Sequence, residues 1–151
     1  MRARCRVEFQ RRCGVSEELL ERLPSWIASA APLEPEARRA LLHGDVNHQQ
    51  VLIEERNGRH ELSGLFDFGD SIVGHPEYEL VTPIFLITCG EPGLSAALLR
   101  GYGMAVDEQT SRRLMAWSVL HQFNDLTRYI PGPGDGGSLE RLRERYWPLS
   151  A

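Results

Sequence analysis

Two short polar stretches contain the residues best suited to chemistry. The first is His43-Gly44-Asp45-Val46-Asn47-His48-Gln49-Gln50, a His-x-Asp pair with an amide, Gln50, seven residues after the histidine. The second is Asp67-Phe68-Gly69-Asp70. Val51–Glu54 and Glu61–Phe66 read as strands, and Asn57-Gly58 between them is a tight-turn signal because both residues tolerate positive φ. A hairpin built this way brings the loop before its first strand to the loop after its second, so Asp45 and Asp67 face a common site. Two such carboxylates suit phosphoryl transfer from ATP to a hydroxyl. One orients the acceptor hydroxyl and takes its proton, and the other helps to hold the magnesium that bridges the phosphates. Magnesium prefers hard oxygens, and Asp67 and Gln50 offer a carboxylate and an amide carbonyl.

The surrounding elements are mostly helical. Ser16 caps a helix that runs to about Ala30, with Leu19, Leu20, Leu23, Trp26 and Ile27 on one side and Pro24 as an interruption that splits or kinks it. Pro35 suits the first turn of a short helix to Leu42. After Gly74-His75-Pro76, helices are expected over Glu77–Thr88 and Pro92–Gly101. Asp107 opens the longest one, to Tyr129, on a stripe of Leu114, Trp117, Leu120, Phe123 and Leu126. Pro131–Gly137 breaks the pattern, and Ser138 caps a last helix to Tyr146. The fold class is therefore α+β, mainly helical, with one small hairpin carrying the polar loops.

Composition narrows the rest. The chain has 151 residues, 42% apolar, the size of one domain. With a net charge of −4 there is no field drawing it to nucleic acid or anionic membrane. The basic cluster Arg2, Arg4, Arg6, Arg11 and Arg12 reads as a solvated terminal segment. All 17 basic residues are arginine, so no lysine is present to bind a phosphate as an ammonium. Three unpaired-looking cysteines, no h-region and no long apolar run point to a reducing cytoplasm rather than secretion or a membrane.

The segment LLHGDVNHQQVLI…LSGLFDFGDSIVGHPEYEL resembles the catalytic core of the aminoglycoside phosphotransferase and choline-kinase-like family, which has a protein-kinase-like fold. That family's motif is His-Gly-Asp-x-His-x-x-Asn-Val-Leu, then a hairpin, Ile-Asp-Phe/Trp, and Gly-Asp-Pro-x-x-Asp-Leu. The resemblance implies a magnesium- and ATP-dependent transferase acting on a small-molecule hydroxyl. It gives Asp45 the catalytic-base position, His43 that of a structural histidine supporting the loop, and Asp67 the magnesium position. Several positions depart from the pattern. Gln50 stands where the family has its metal-binding Asn, Asn47 where it often has His, and Gly74-His75-Pro76 replaces Gly-Asp-Pro, with Glu79 for the later Asp.

The resemblance also implies that residues 1–151 form only the C-terminal catalytic lobe. Residues 1–42 are lead-in helices, 43–70 hold the catalytic loop, hairpin and Asp-Phe-Gly, and 71–151 are a helical subdomain. The strand-rich nucleotide lobe, with its phosphate-covering loop and lysine, is expected to be absent. A second chain then supplies it, or the product is truncated. Asn124, Asp125, Tyr129, Glu140 and Tyr146 are candidates for an acceptor pocket, with a solvated helix face as the plainer alternative. Trp117 and Phe123 are expected in the core, His121 as a satisfied, partly buried histidine, and Asp70 in a turn or cap. Two other functions fit the same residues. One is a non-catalytic binding module that dimerises through an exposed lobe face. The other is a hydrolase with a zinc or manganese centre of His43, Asp45, His48, Asp67 and Asp70.

Overall fold

The computed structural model describes residues 3–30, 39–129 and 138–147. Helix α1 spans Ala3–Cys13 and α2 spans Glu17–Ala30. Ser16 starts α2, with its hydroxyl accepting from Leu19 N (3.4 Å) and Glu17 and Glu18 in the first turn. Pro24 lies inside one continuous helix and does not split it. Its missing N–H costs one ladder bond, and packing of Leu19, Leu20, Leu23 and Ile27 into the core holds both halves together.

Within the N-terminal basic cluster, Arg11 and Arg12 are exposed on α1 as expected, but Arg6 on the same helix is buried, and Arg2 lies outside the described residues. Gln10, also on α1, is buried too. The helix expected over Pro35–Leu42 is also corrected. Residues 35–38 lie outside the described residues, and Ala40–Leu42 is strand β1.

Strands β2 (Val51–Arg56) and β3 (Arg59–Leu65) form the expected hairpin, with a bulge between Leu52 and Ile53. Asn57 and Gly58 both have positive φ, 53° and 72°, the conformation of a type I′ turn. A second strand pair accompanies the hairpin. Strand β4 (Ile72–Gly74) runs antiparallel to β1, with Leu42 opposite Ile72 and Ala40 opposite Gly74. The α+β class stands, with two strand pairs among the described residues where one was expected.

The expected helix Glu77–Thr88 is a 3₁₀ turn, Pro76–Leu80, followed by α3 (Val81–Leu86). Helix α4 covers Pro92–Gly101 as expected. Asp107 caps α5 by accepting from Thr110 N (2.8 Å), which holds its carboxyl below the usual range. However, α5 (Glu108–Leu120) ends nine residues before Tyr129, and Leu126–Arg128 forms a separate 3₁₀ turn. Helix α6 spans Leu139–Tyr146, and the glycine-rich Pro131–Gly137 lies outside the described residues.

The core joins α2, α3, α5 and α6 through Leu23, Ile84, Leu114, Met115, Leu139 and Trp147. Trp147 Nε1 donates to Ser118 Oγ (3.0 Å), which satisfies its one polar atom inside the core. No described helix is long and apolar enough to cross a membrane.

Candidate active site

The second strand pair positions the two polar loops. Strand β1 runs directly into His43, and the Phe68–Asp70 turn leads into β4, so the β1–β4 pair closes one side of the loops and the hairpin closes the other. Between them, the His43 ring bridges the two loops. Its Nδ1 accepts from Asp45 N (3.4 Å), which leaves Nε2 to donate to the Phe66 carbonyl (2.8 Å). Phe68 packs against the same ring at 4.6 Å between centroids. Gly44 has φ +84°, and a Cβ there would lie 2.6 Å from the Asp70 carbonyl oxygen. Glycine is therefore required twice, by the left-handed backbone and by the close approach of the loops.

Glu79 anchors the first loop from the 3₁₀ turn. Its carboxylate accepts from both His43 N (2.6 Å) and Gly44 N (3.1 Å). Charge-assisted bonds of this kind are the stronger sort, and they fix the backbone on which Asp45 sits. Beside it, Glu77 accepts from Arg113 Nε (2.8 Å) and Trp117 Nε1 (3.1 Å), in a pair well screened from solvent.

Asp45 is half-buried and held by two amides at the same oxygen. Asn47 Nδ2 (3.3 Å) and Gln50 Nε2 (3.2 Å) both donate to Oδ2, which leaves Oδ1 open to an outside hydrogen. The Gln50 carbonyl oxygen accepts from Asn47 N (3.2 Å) and keeps a second lone pair. Asp67 lies on the other loop, exposed, with φ 67° and ψ 64°. Asparagine and aspartate tolerate this left-handed region better than other non-glycine residues. Among the described residues, no three His, Cys, Asp or Glu gather to hold a metal ion, so the mixed centre a hydrolase would need is not formed.

A cavity of about 290 Å³ opens beside the first loop. Asp45 and Asp70 line it together with Thr82, Phe85, His121 and Tyr129, while Asp67 lies outside it. Its far wall is the segment where α5 stops. His121 has ψ 136° and takes the chain out of the helix. The freed backbone groups find side-chain partners. Arg6, from α1, donates to the His121 carbonyl and to the Gln122 carbonyl (3.2 Å). Gln10 donates to Asn124 O (2.7 Å) and accepts from Leu126 N (3.1 Å). Asn124 Nδ2 takes the Ser118 carbonyl (2.7 Å), and Tyr78 Oη accepts from Gln122 N (2.8 Å). Residues at the start of the chain thus hold a cavity wall more than 110 positions away.

His121 is almost wholly buried and stacks on Tyr78 at 4.4 Å. Burial pulls its pKa down to about 4, with the Arg6 charge adding to the effect, and Asp45 opposes it. The ring is neutral. Its Nδ1 accepts from Phe123 N (3.4 Å), so Nε2 carries the hydrogen. The Gly44 backbone lies against the ring and, with Asp45, opposes the fall in pKa. The expectation of a partly buried histidine is corrected only in degree, because the residue is 1% exposed. Phe123 is corrected too, because it is 51% exposed and lines the cavity instead of the core.

Of the acceptor-pocket candidates, Asn124 and Tyr129 line the cavity. The other three are engaged elsewhere. Asp125 caps the 3₁₀ turn at Thr127 N (3.0 Å), Glu140 pairs with Arg143 (2.9 Å), and Tyr146 packs on Phe85. His48 is exposed. Sequence reasoning passed over Gln10 and Thr82, read Arg6 as a solvated charge, and noted Glu79 only as the replacement for the family's later Asp, without a role. The family model described as the phosphotransferase enzyme family matches residues 2–117, more than three quarters of the chain.

Proposed function

From the premise that this chain belongs to the phosphotransferase enzyme family, we propose that it is the catalytic lobe of a small-molecule kinase, with Asp45 as the base and the cavity beside it as the acceptor site. One observation carries the reading: Asp45 is fixed through Oδ2 by Asn47 and Gln50 while lining a cavity large enough for a small molecule.

The free oxygen, Oδ1, then orients the acceptor hydroxyl and receives its proton as the γ-phosphoryl group is transferred. Glu79 and His43 keep the loop from shifting when that proton arrives. Asp67 is the carboxylate for magnesium, and the spare lone pair of Gln50 is a second oxygen for it. When bound, the metal supplies neutralisation of charge on the phosphates. Asp67 makes no bond that it would have to give up for this role, whereas Gln50 must keep its hold on Asp45 at the same time.

The sequence contains no lysine, so an ammonium for the nucleotide phosphates has to come from elsewhere. The strand pairs support a partner surface for that purpose. Leu41, Leu62 and Val73 are each 67–70% exposed, which suits a nucleotide-clamping lobe on a second polypeptide.

Calorimetric titration with Mg·ATP tests the catalytic reading. Magnesium-dependent binding that falls at least about tenfold in Asp67→Ala and persists in Asp45→Asn is the expected result. No binding, or binding indifferent to magnesium and to Asp67, in a chain with an intact circular dichroism spectrum would mean that this polypeptide is not a kinase on its own.

A further inference from the structure

Helix α1 is attached to the domain differently from the helices that follow it. Over residues 5–13 its two buried side chains, Arg6 and Gln10, are both polar, while Val7 and Phe9 are only half-buried. Helix α2, by contrast, buries Leu19, Leu20, Leu23 and Ile27. Apolar burial is the main adhesive between elements, and α1 has little of it. Its hold comes instead from Arg6 on the His121 and Gln122 carbonyls and from Gln10 on Asn124 O and Leu126 N. The Arg11–Glu17 ion pair to α2 (2.9 Å) is open to solvent and adds little.

A hold of this kind releases readily. Arg6 is buried with no carboxylate paired to it among the described residues, and burial pulls its pKa down. Lifting α1 returns the guanidinium to water and exchanges each hydrogen bond for one to water. Helices held so belong to the low-stability end of a structure, where local opening precedes global unfolding. The backbone that α1 grips is residues 121–126, of which His121, Phe123 and Asn124 line the cavity beside Asp45. The body of the domain ties this stretch through Gln122 N to Tyr78 Oη and through Asn124 Nδ2 to the Ser118 carbonyl. When α1 lifts, those ties remain and the fastening from the other side is gone.

We propose that α1 is a strap on the acceptor cavity: Arg6 and Gln10 are positioning residues, and α1 and residues 121–126 open and close as one unit that admits the acceptor. The last step rests on the reading of this cavity as the acceptor site.

Hydrogen exchange of the full chain, read by mass spectrometry, tests the shared opening. Peptides from α1 and from residues 121–128 are expected to exchange at a common rate, about tenfold or more above peptides from α5, with weak dependence on low urea because little surface is exposed. In the double variant Arg6→Ala/Gln10→Ala both segments are expected to lose protection while α2 and α5 keep theirs. Diethyl pyrocarbonate, which acylates neutral imidazoles, reports the wall itself: His121 is buried and His60 is exposed. Modification of His121 relative to His60 is expected to rise about tenfold in the double variant. Loss of protection in α2 and α5 together with α1 would overturn the proposal. Release of α1 with residues 121–128 and His121 still protected would do the same. Mg·ATP titration on the same samples separates the two readings. Coupled opening without Mg·ATP binding strikes only the kinase reading, and Mg·ATP binding without coupled opening strikes only this one.

Discussion

Gly44→Ala concentrates the structural claim about the two loops into one methyl group. At φ +84° any L-residue is strained, by about 1–2 kcal/mol. The new Cβ also lies 2.6 Å from the Asp70 carbonyl oxygen, closer than real Cβ contacts come, so backbone has to move. Overpacking of that kind adds about 1–3 kcal/mol. The sum is near 3 kcal/mol, or a fall in Tm of about 6–12 °C for a chain of this size. Gly103→Ala is the control. Its φ is +79°, but nothing lies within 4 Å of the added Cβ, so it bears the strain alone, about 1–2 kcal/mol. Urea unfolding of both variants, read by circular dichroism, gives the difference directly. If the two substitutions cost the same to within about 0.5 kcal/mol, the loops do not meet as described.

Three other perturbations follow from the same contacts. Gln10→Leu keeps the bulk but strips partners from Asn124 O and Leu126 N, and should cost about 2–4 kcal/mol in urea unfolding, far above the effect of a surface glutamine. Glu79→Gln leaves one acceptor oxygen for two N–H donors and turns an amide NH₂ toward the other. A loss of about 2 kcal/mol is expected, and a variant as stable as the parent would remove Glu79 from the anchoring role. His121 makes stability depend on pH. Its folded-state pKa of about 4 lies below the unfolded value of 6.5, so the unfolded chain binds the extra proton between them. The contribution is fully present above pH 6.5 and is lost as pH falls toward 4, about 3 kcal/mol in all. Comparison with His121→Gln across that window isolates it from Asp45, Arg6 and Tyr78 around the ring. Parallel stability–pH curves would contradict a neutral buried imidazole.

The parts of the fold legible in the sequence are those decided locally. Asn57-Gly58 specifies its own turn, and Pro92 and Gly101 bracket α4 at the two ends the chain adopts. The parts that were not legible depend on distant partners. Residues 40–42 are too few to choose between helix and strand, and β4, 30 residues later, decides for them. The apolar stripe through Phe123 and Leu126 continues the α5 period, with no glycine or proline to stop it. The helix ends because Arg6, Asn124 and Gln10 take up carbonyls and an amide that a continued ladder would have used. Arg6 itself looked like a surface charge, since nothing near it in sequence suggests a partner at residue 121. In the candidate site, His43, Asp45 and Gln50 sit on one loop and were easy to group. The cavity wall at Thr82 and His121 required the tertiary fold.

The hold of α1 on residues 121–126 has an implication for how such a protein can change its acceptor. The first helix and the cavity wall it fastens lie more than 110 positions apart, so exchanging the later helices alone would transplant a wall without its fastening. Arg6 and Gln10 would face carbonyls set for another first helix. Viable chimeras should therefore inherit α1 and the 121–126 segment together, and substitutions at positions 6 and 10 should travel with those at 121–126.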